Sequence, residues 1–594
     1  MPPPLLHWIC LRERYRVGKA HAEVSRPFLG MNDGDENYQQ RNPNREPVHC
    51  SRYPLSGNHS SDHTCMSNKT LPILSYKIIL SHKLSATFFL SMGQLGHQLI
   101  RNIFSSWAGY VVSVVIAFVF IPYITSTLGD ARYGVWVIIF QTVNYFALMD
   151  LGLERALTRY LSKFLGRKDF DAVNRVLNTS TLLYFGIGLI VIAGVFLTAI
   201  FLFQYFRIST PEMAEEGRKA LMVVGVFVGV RFMLAPFGGS LGGFQRYDIV
   251  NGLSMVEEII RFGALIWLLS QGYGLVALAV AIFAVALARQ LVAIIWLKKL
   301  FPQVRFSPTT ADRATAGMLF RYSSISFGIT AAWLVIFGSD SIILGLLAST
   351  AAAGIFAPAA QLMLYMRIVV NTVGNPLTPA VSHLEAIGDT EGVRQVYLKG
   401  VRYVSSASFF MASGIIIYAR PFVHLWLAPE FIESAEVMMI LAVGMAVFLP
   451  QIIGNSILFG IEQHKFLLRV LLIEAAAKLI LSFALIGPYG LLGMALATAI
   501  PQVILYSTLY PYLIAKVLGV PFSQFALHSM KGAVIALSST IPVALVIRAL
   551  VPPGGWPTFA VNIGLVTLAA VATFMLTSDP ADRKRFLGYI SPTR

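Results

Sequence analysis

The chain has 594 residues, 56% of them hydrophobic and only 13% charged, with a formal net charge of +16. So much apolar surface cannot be hidden inside a soluble domain, which excludes a water-soluble enzyme or binding module. The excess of cations sits in the connections between apolar runs, so it is membrane basicity and not the footprint of a nucleic-acid partner.

Residues 1–91 differ in kind from the rest. They hold Pro, His, Asn and charge, as in MNDGDENYQQRNPNREP, with no apolar periodicity, and read as a disordered or mis-assigned extension. All three cysteines, Cys10, Cys50 and Cys65, fall there. Cys50, His59, His63 and Cys65 form neither a CxxC nor another paired spacing, so no metal and no other cofactor is expected. Residues 71–90 are apolar but carry Lys77, His82 and Lys83, which argues against a span. After Met92, GQLGHQLIRNIFSSW reads as an amphipathic entry to the first span.

Fourteen apolar runs follow, near 104–124, 135–157, 178–203, 220–241, 251–270, 275–297, 322–346, 354–380, 402–424, 435–459, 467–486, 491–514, 530–550 and 557–577. Runs of about 20 apolar residues cross a bilayer core as helices, which satisfy their own backbone. The seventh run is weakened by Asp340, and the eighth by Arg367 and two prolines. The expected fold is an all-α polytopic membrane protein of about 14 transmembrane helices. Trp107, Tyr123, Tyr133, Trp136, Trp426 and Trp556 stand near span ends, as an interfacial aromatic belt would.

Cations choose an orientation. Between the second and third runs lie Arg155, Arg159, Lys163, Arg167, Lys168 and Arg175. Alternate connections add Arg246, Lys298, Lys299, Arg305, Arg313, Arg321, Arg394, Lys399, Arg402, Lys465, Arg469, Lys516 and Lys531 to the same side. The other side has only Arg132, Arg207, Arg218, Lys219, Arg420 and Arg548. The richer side is expected to be cytoplasmic, with both termini on it in a plasma (bacterial inner) membrane. These cations either hold topology alone or also contact anionic headgroups.

The chain repeats itself. Shifted by 220 residues, Gly134-Val135-Trp136 meets Gly354-Ile355-Phe356, and LSKFLGRKDFDAVNRV (161–176) meets VSHLEAIGDTEGVRQV (381–396) without a gap. Farther on, the shift is 216–217. There YGLVALA (273–279) meets YGLLGMA (489–495), and Glu257 and Arg261 meet Glu474 and Lys478. A duplicated six-helix unit follows, and an even number of spans gives both copies one orientation around a central cavity. The expected organisation is an extension at 1–91, a first bundle at 92–300 and a second at 314–515. Two additional helices at 528–578 and a cytoplasmic tail at 579–594 complete it.

The stretch LGDARYGVWVIIFQTVNYFALMDLGLERALTRYLSKF, followed by GGFQRYDIVNG, resembles the polysaccharide and O-antigen (Wzx-type) flippases. These belong to the superfamily that includes multidrug MATE exporters and peptidoglycan-precursor flippases. The resemblance covers roughly residues 95–520 and is strongest over 100–265. It implies a MATE-like pair of bundles forming a V around a cavity. The implied cargo is a glycan on a polyprenyl diphosphate, moved from the cytoplasmic to the outer leaflet by alternating access. Membrane lipids and other polysaccharide-assembly membrane proteins are the implied partners.

Charges at bilayer depth face a cavity or a partner. Arg231 and Arg367, each in mid-span, suit a diphosphate, because guanidinium forks bind phosphate oxygens bidentately. Their other reading is pairing with a buried acid such as Asp340. Arg289 is a further candidate, or snorkels toward the interface. Glu257/Arg261 and Glu474/Lys478 have the spacing and order of intrahelical ion pairs. They are either structural or a charged cavity wall in which Arg261 and Lys478 serve the substrate. Glu257, Glu258, Glu474 and Asp340 are then ion-coupling or structural acids. Asp150, Glu154 and Arg155 read as interfacial and solvated.

An enzyme is not expected: the longest outer connection, near 204–219, is too short to carry a catalytic acid cluster, and no GxxxxGK[ST] motif supplies ATP drive. A MATE-type cation-coupled small-molecule exporter stays open as the alternative. Against it, the first run, FSSWAGYVVSVVIAFVFIPYI, holds no acid.

Overall fold

The computed structural model describes residues 114–374 and 377–577. The expected N-terminal extension, the C-terminal tail and Trp107 lie outside the described residues. Among the described residues all regular structure is helical. In chain order the principal helices are α1 (Val114–Asp150), α2 (Leu153–Gly166), α3 (Phe170–Leu197), α4 (Pro211–Gly243), α5 (Tyr247–Ser270) and α6 (Leu275–Leu300). Then come α7 (Arg313–Gly338), α8 (Asp340–Leu347), α9 (Thr350–Gly374), α10 (Leu377–Ala386) and α11 (Thr390–Trp426). The last are α12 (Pro429–Gly460), α13 (Lys465–Leu518), α14 (Phe522–Leu550) and α15 (Trp556–Thr577).

Local chemistry starts these helices where the sequence stops being apolar. Asp169 and Asp389 cap α3 and α11 by accepting the backbone N–H of Ala172 and Gly392. Thr210 caps α4 with Pro211 at the first helical position. Asp312 caps α7, and the Thr315 N–H and hydroxyl, with the Ala314 N–H, hold its carboxyl below the usual carboxylate range.

Ten described helices are long and apolar enough to cross a membrane, or eleven if α7 and α8 form one bent span, against the fourteen runs expected. The difference has physical causes. The first two runs are continuous in α1, broken only at Gly129, whose φ of +72° an L side chain avoids. The eleventh and twelfth are continuous in α13, broken at Gly490 (φ 53°, ψ −125°). Helix α5 is long enough to span but carries Asp248, Glu257, Glu258 and Arg261.

The duplication is written in repeated contacts. Ser162 donates to the Gly243 carbonyl at 2.6 Å, and Ser382 donates to the Gly460 carbonyl at 2.9 Å. Gly243 packs on Leu161 and the Thr158 carbonyl, and Gly460 on Val381 and the Thr378 carbonyl. Lys168 and Gly388 both take positive φ, as do Gln245 and Glu462. Each pair is related by the offset of 220 or 217 read from the sequence.

The halves meet across a close crossing of α1 and α9. A Cβ on Gly134 would overlap the Thr350 carbonyl oxygen, and one on Gly354 would overlap the Asp130 carbonyl oxygen. The 220-residue shift turns each of these contacts into the other, so the crossing lies on the pseudo-two-fold axis. Beside it, Arg207 N–H donates to the Gly345 carbonyl at 2.9 Å, and Thr350 N–H donates to the Arg207 carbonyl at 3.3 Å. Trp426 Nε1 donates to the Phe118 carbonyl at 2.8 Å. Helices α14 and α15 dock on α11, where Tyr418 donates to the Ala544 carbonyl and contacts Asn562.

Gly134→Val forces side-chain carbon into the crossing and should destabilise the fold by about 1–3 kcal/mol. Gly414→Ala, where no atom lies within 4 Å of the added carbon, is the control. Thermal unfolding in detergent checks both, and equal midpoints would deny the crossing its role.

A candidate binding cavity between the halves

A cavity of about 450 Å³ opens between the two repeats. Gln141, Asn144 and Arg261 reach it from the first half, and Phe337, Gln361 and Arg367 from the second. Trp136 and Tyr133 also line it. Both are buried, as is Trp426, so these three rings pack against protein.

Arg367 projects from α9 against aromatic faces, its guanidinium 4.1 Å from the Phe337 ring centroid and 5.7 Å from that of Trp333. Arginine stacks this way because its flat cation is weakly hydrated and meets the negative ring face. Among the described residues no carboxylate lies within ion-pair distance of it. Arg231, in α4, does not line this cavity. Its side chain is exposed although it stands mid-helix. It feels the charges of Glu257, Arg289, Glu154 and Arg261, but among the described residues no acid closes to ion-pair distance.

Around Arg231 the first half carries a charged cluster. Glu257 stands 2.6 Å from Arg289 Nε and 3.8 Å from Arg261, and Glu258 stands 2.5 Å from Arg261. The Arg289–Glu257 contact is close, but its N–H is not aligned as a hydrogen bond. Arg289 therefore meets an acid instead of snorkelling. Glu154 is exposed toward the same cluster, while Asp150 accepts a hydrogen bond from Tyr184. Three carboxylates thus balance three guanidiniums inside one half.

The second half solves the same positions differently. The expected Glu474–Lys478 pair does not form. Lys478 Nζ lies 2.6 Å from Asp340 and also donates to the Ile336 carbonyl. Glu474 instead accepts from the Tyr506 hydroxyl at 2.5 Å. Nor is Asp340 the partner of Arg231 or Arg367. The cause is the break between α7 and α8, bent by 49°, which turns the Ile336 carbonyl and Asp340 toward Lys478. Among the described residues no group of three or more His, Cys, Asp or Glu side chains gathers as a metal site.

The repeat offset also explains a contact that the sequence reading passed over. Tyr506 follows Glu474 by the same 32 residues that separate Arg289 from Glu257. Both acids therefore meet their partner from the following helical segment at one equivalent place. The offset puts Phe448 at the position of Arg231, and Gly374 at that of Glu154. At these two positions the charge of the first half is replaced by packed residues in the second, while Glu474 and Lys478 keep charge at those of Glu257 and Arg261.

Comparison with known proteins places this architecture. The polysaccharide biosynthesis protein family matches residues 99–385. A Bacillus subtilis membrane protein, EpsK, is 24% identical over 83% of this chain and 98% of its own. A Shigella flexneri protein named as an O-antigen transporter is 21% identical over 71% of this chain and 99% of its own. The solved lipid II flippase MurJ, in an inward closed conformation, shares the fold at a TM-score of 0.61 and 14% identity, covering 80% of this chain and 98% of its own. An inward-facing multidrug resistance MATE family transporter of the MOP superfamily does so at 0.54 and 14%, covering 68% and 98%. The expected resemblance to the Wzx-type flippases is borne out by these matches, and the protein is a multi-pass membrane protein similar to polysaccharide biosynthesis transporters.

Tyr506→Phe leaves the buried Glu474 carboxylate without its donor and should destabilise the protein by about 1–3 kcal/mol. Glu474→Gln in the same background should recover part of it. Unfolding midpoints of the unaltered protein and the two variants in detergent decide, and an unchanged Tyr506→Phe midpoint would count against the contact.

Proposed function

We propose that the protein moves a polyprenyl-diphosphate-linked oligosaccharide from the cytoplasmic to the outer leaflet of the bacterial inner membrane, by alternating access, for cell-surface polysaccharide assembly. Both termini are then cytoplasmic, on the side of the basic connections. One observation carries the reading. Arg231 and Arg367, contributed by opposite halves, are guanidiniums with no carboxylate at ion-pair distance among the described residues. An unpaired cation at bilayer depth is costly, and a diphosphate supplies the missing partner in the geometry that arginine favours.

Glu257 and Glu258 hold Arg289 and Arg261 in the meantime. Displacement or protonation of either acid frees a further cation toward the cargo, which gives these acids a coupling role. The cation-coupled exporter is less well supported, because Asp340, an acid on the central cavity, is already neutralised by Lys478.

The test is translocation of lipid-linked glycan in vesicles, with membrane abundance measured alongside. Arg231→Ala and Arg367→Ala should each weaken headgroup binding by about 2–5 kcal/mol, enough to cripple transport. The Lys versions keep the charge but lose the fork, so they should recover only part of the rate. Normal translocation by both Ala variants at normal abundance would remove these arginines from the mechanism.

A further inference from the structure

Lys478 is almost fully buried, and its ammonium sits among oxygens. Asp340 Oδ1 is 2.6 Å away, the Ile336 carbonyl accepts from it, and the Val335 carbonyl lies at 3.5 Å. Thr498 Oγ1 stands 3.2 Å from the same Asp340 oxygen. The carbonyls come from the last turn of α7 and the carboxylate from the first residue of α8, across the 49° break. The Val335 carbonyl also accepts from the Ser339 hydroxyl at 2.7 Å, so the Ile336 carbonyl and Asp340 are the near oxygens. A broken membrane helix that turns carbonyl oxygen and an acid toward one point has the chemistry by which transporters hold a small monovalent cation. Hard oxygens surround a single positive charge, and no anion other than Asp340 is needed to balance it.

We infer that this is a monovalent-cation site of alkali-ion type whose cation is the chain's own Lys478 ammonium. The first half supports the assignment by contrast. The repeat offsets put Phe120 at the position of Asp340 and Arg261 at that of Lys478. There Phe120 packs edge-on against Phe262, and Arg261 turns to Glu258. The acid and the ammonium thus occur together in one half, and neither occurs as such a pair in the other. Asp340 and Thr498 also line the central cavity, so an ion from solution has a route to the site once the side chain is shortened. The tethered cation fixes the bend between α7 and α8 without drawing on an alkali ion. Its bearing on transport, that cargo movement does not require an alkali-ion gradient at this site, rests on the reading of the preceding subsection. The inference itself does not.

The experiment therefore reads stability and uses no cargo. The full chain and its Lys478→Ala, Lys478→Met and Lys478→Ala/Asp340→Asn variants are purified in detergent. Thermal midpoints are measured in LiCl, NaCl, KCl and choline chloride at constant ionic strength. The unaltered protein should be indifferent to the cation. Lys478→Ala should melt lower in choline and regain several degrees, saturably, in at least one alkali chloride, because an ion that binds only the folded state stabilises it. The double variant should not respond. A Lys478→Ala midpoint that ignores all three alkali ions would overturn the inference, as would an equal response in the unaltered protein or the double variant. Failure of Lys478→Ala to be recovered folded from membranes extracted in Li⁺, in Na⁺ and in K⁺ buffers, where Lys478→Met is recovered, would overturn it too, since a site that accepts any of the three would be rescued in one of them.

Discussion

Inside a bilayer no water stands by to solvate a backbone carbonyl or a side-chain charge, and each unmet group costs several kcal/mol. The buried contact between Lys478 and Asp340 meets that demand twice. It neutralises two charges that would each be prohibitive alone, and it supplies a donor to the Ile336 carbonyl where α7 gives way to α8. Helix α8, which begins at Asp340, also delivers the Gly345 carbonyl to the Arg207 N–H. One short helix thus carries both the buried ion pair and a contact of the closure between the halves.

That closure is built for symmetry. Gly134 and Gly354 meet in a crossing that the repeat offset maps onto itself, so backbones approach more closely than any side chain permits. Small residues at helix crossings are the general means of association where the solvent is as apolar as the side chains. The interior around the axis then departs from symmetry. Glu257 meets Arg289 in one half, and Glu474 meets Tyr506 in the other. Duplication preserved the place of contact while its chemistry diverged, from an exchangeable ion pair to a neutral donor on a buried acid.

Much of this was legible in the sequence, because period and composition are local properties. The apolar runs, the basic connections and the two offsets needed no coordinates, and the Ser162 and Ser382 bonds fall where the aligned segments put them. The partners of the charges were another matter. Spacing along one helix suggested Glu474 with Lys478, but Lys478 joins an acid 138 residues earlier, which no local rule reaches. The stacking of Arg367 on Phe337 was hidden for the same reason. Tyr506 was within reach: applying the offset to Arg289 points directly at it.

The asymmetry gives the two halves different work. In the first, Glu154, Glu257 and Glu258 sit among Arg231, Arg261 and Arg289, so positive and negative groups cancel and no net field is frozen into the wall. On the proposed function, a diphosphate would meet one guanidinium without a close acid, Arg231, beside two that carboxylates hold. It would compete with carboxylates for Arg261 and Arg289, which favours an anion able to engage two forks at once over a singly charged solute. The second half offers no such exchange, since its ammonium is buried against Asp340 and its equivalent of Arg231 is Phe448. It contributes one stacked cation, Arg367, held by ring faces that a phosphate does not displace. On that proposal, a wall whose acids yield to cargo faces a wall whose charges stay paired, so cargo binding would alter the charge pairing of one half only. Across the Gly134–Gly354 axis, binding would then register as a difference between halves, and a difference is what the proposed alternating access needs in order to open one end.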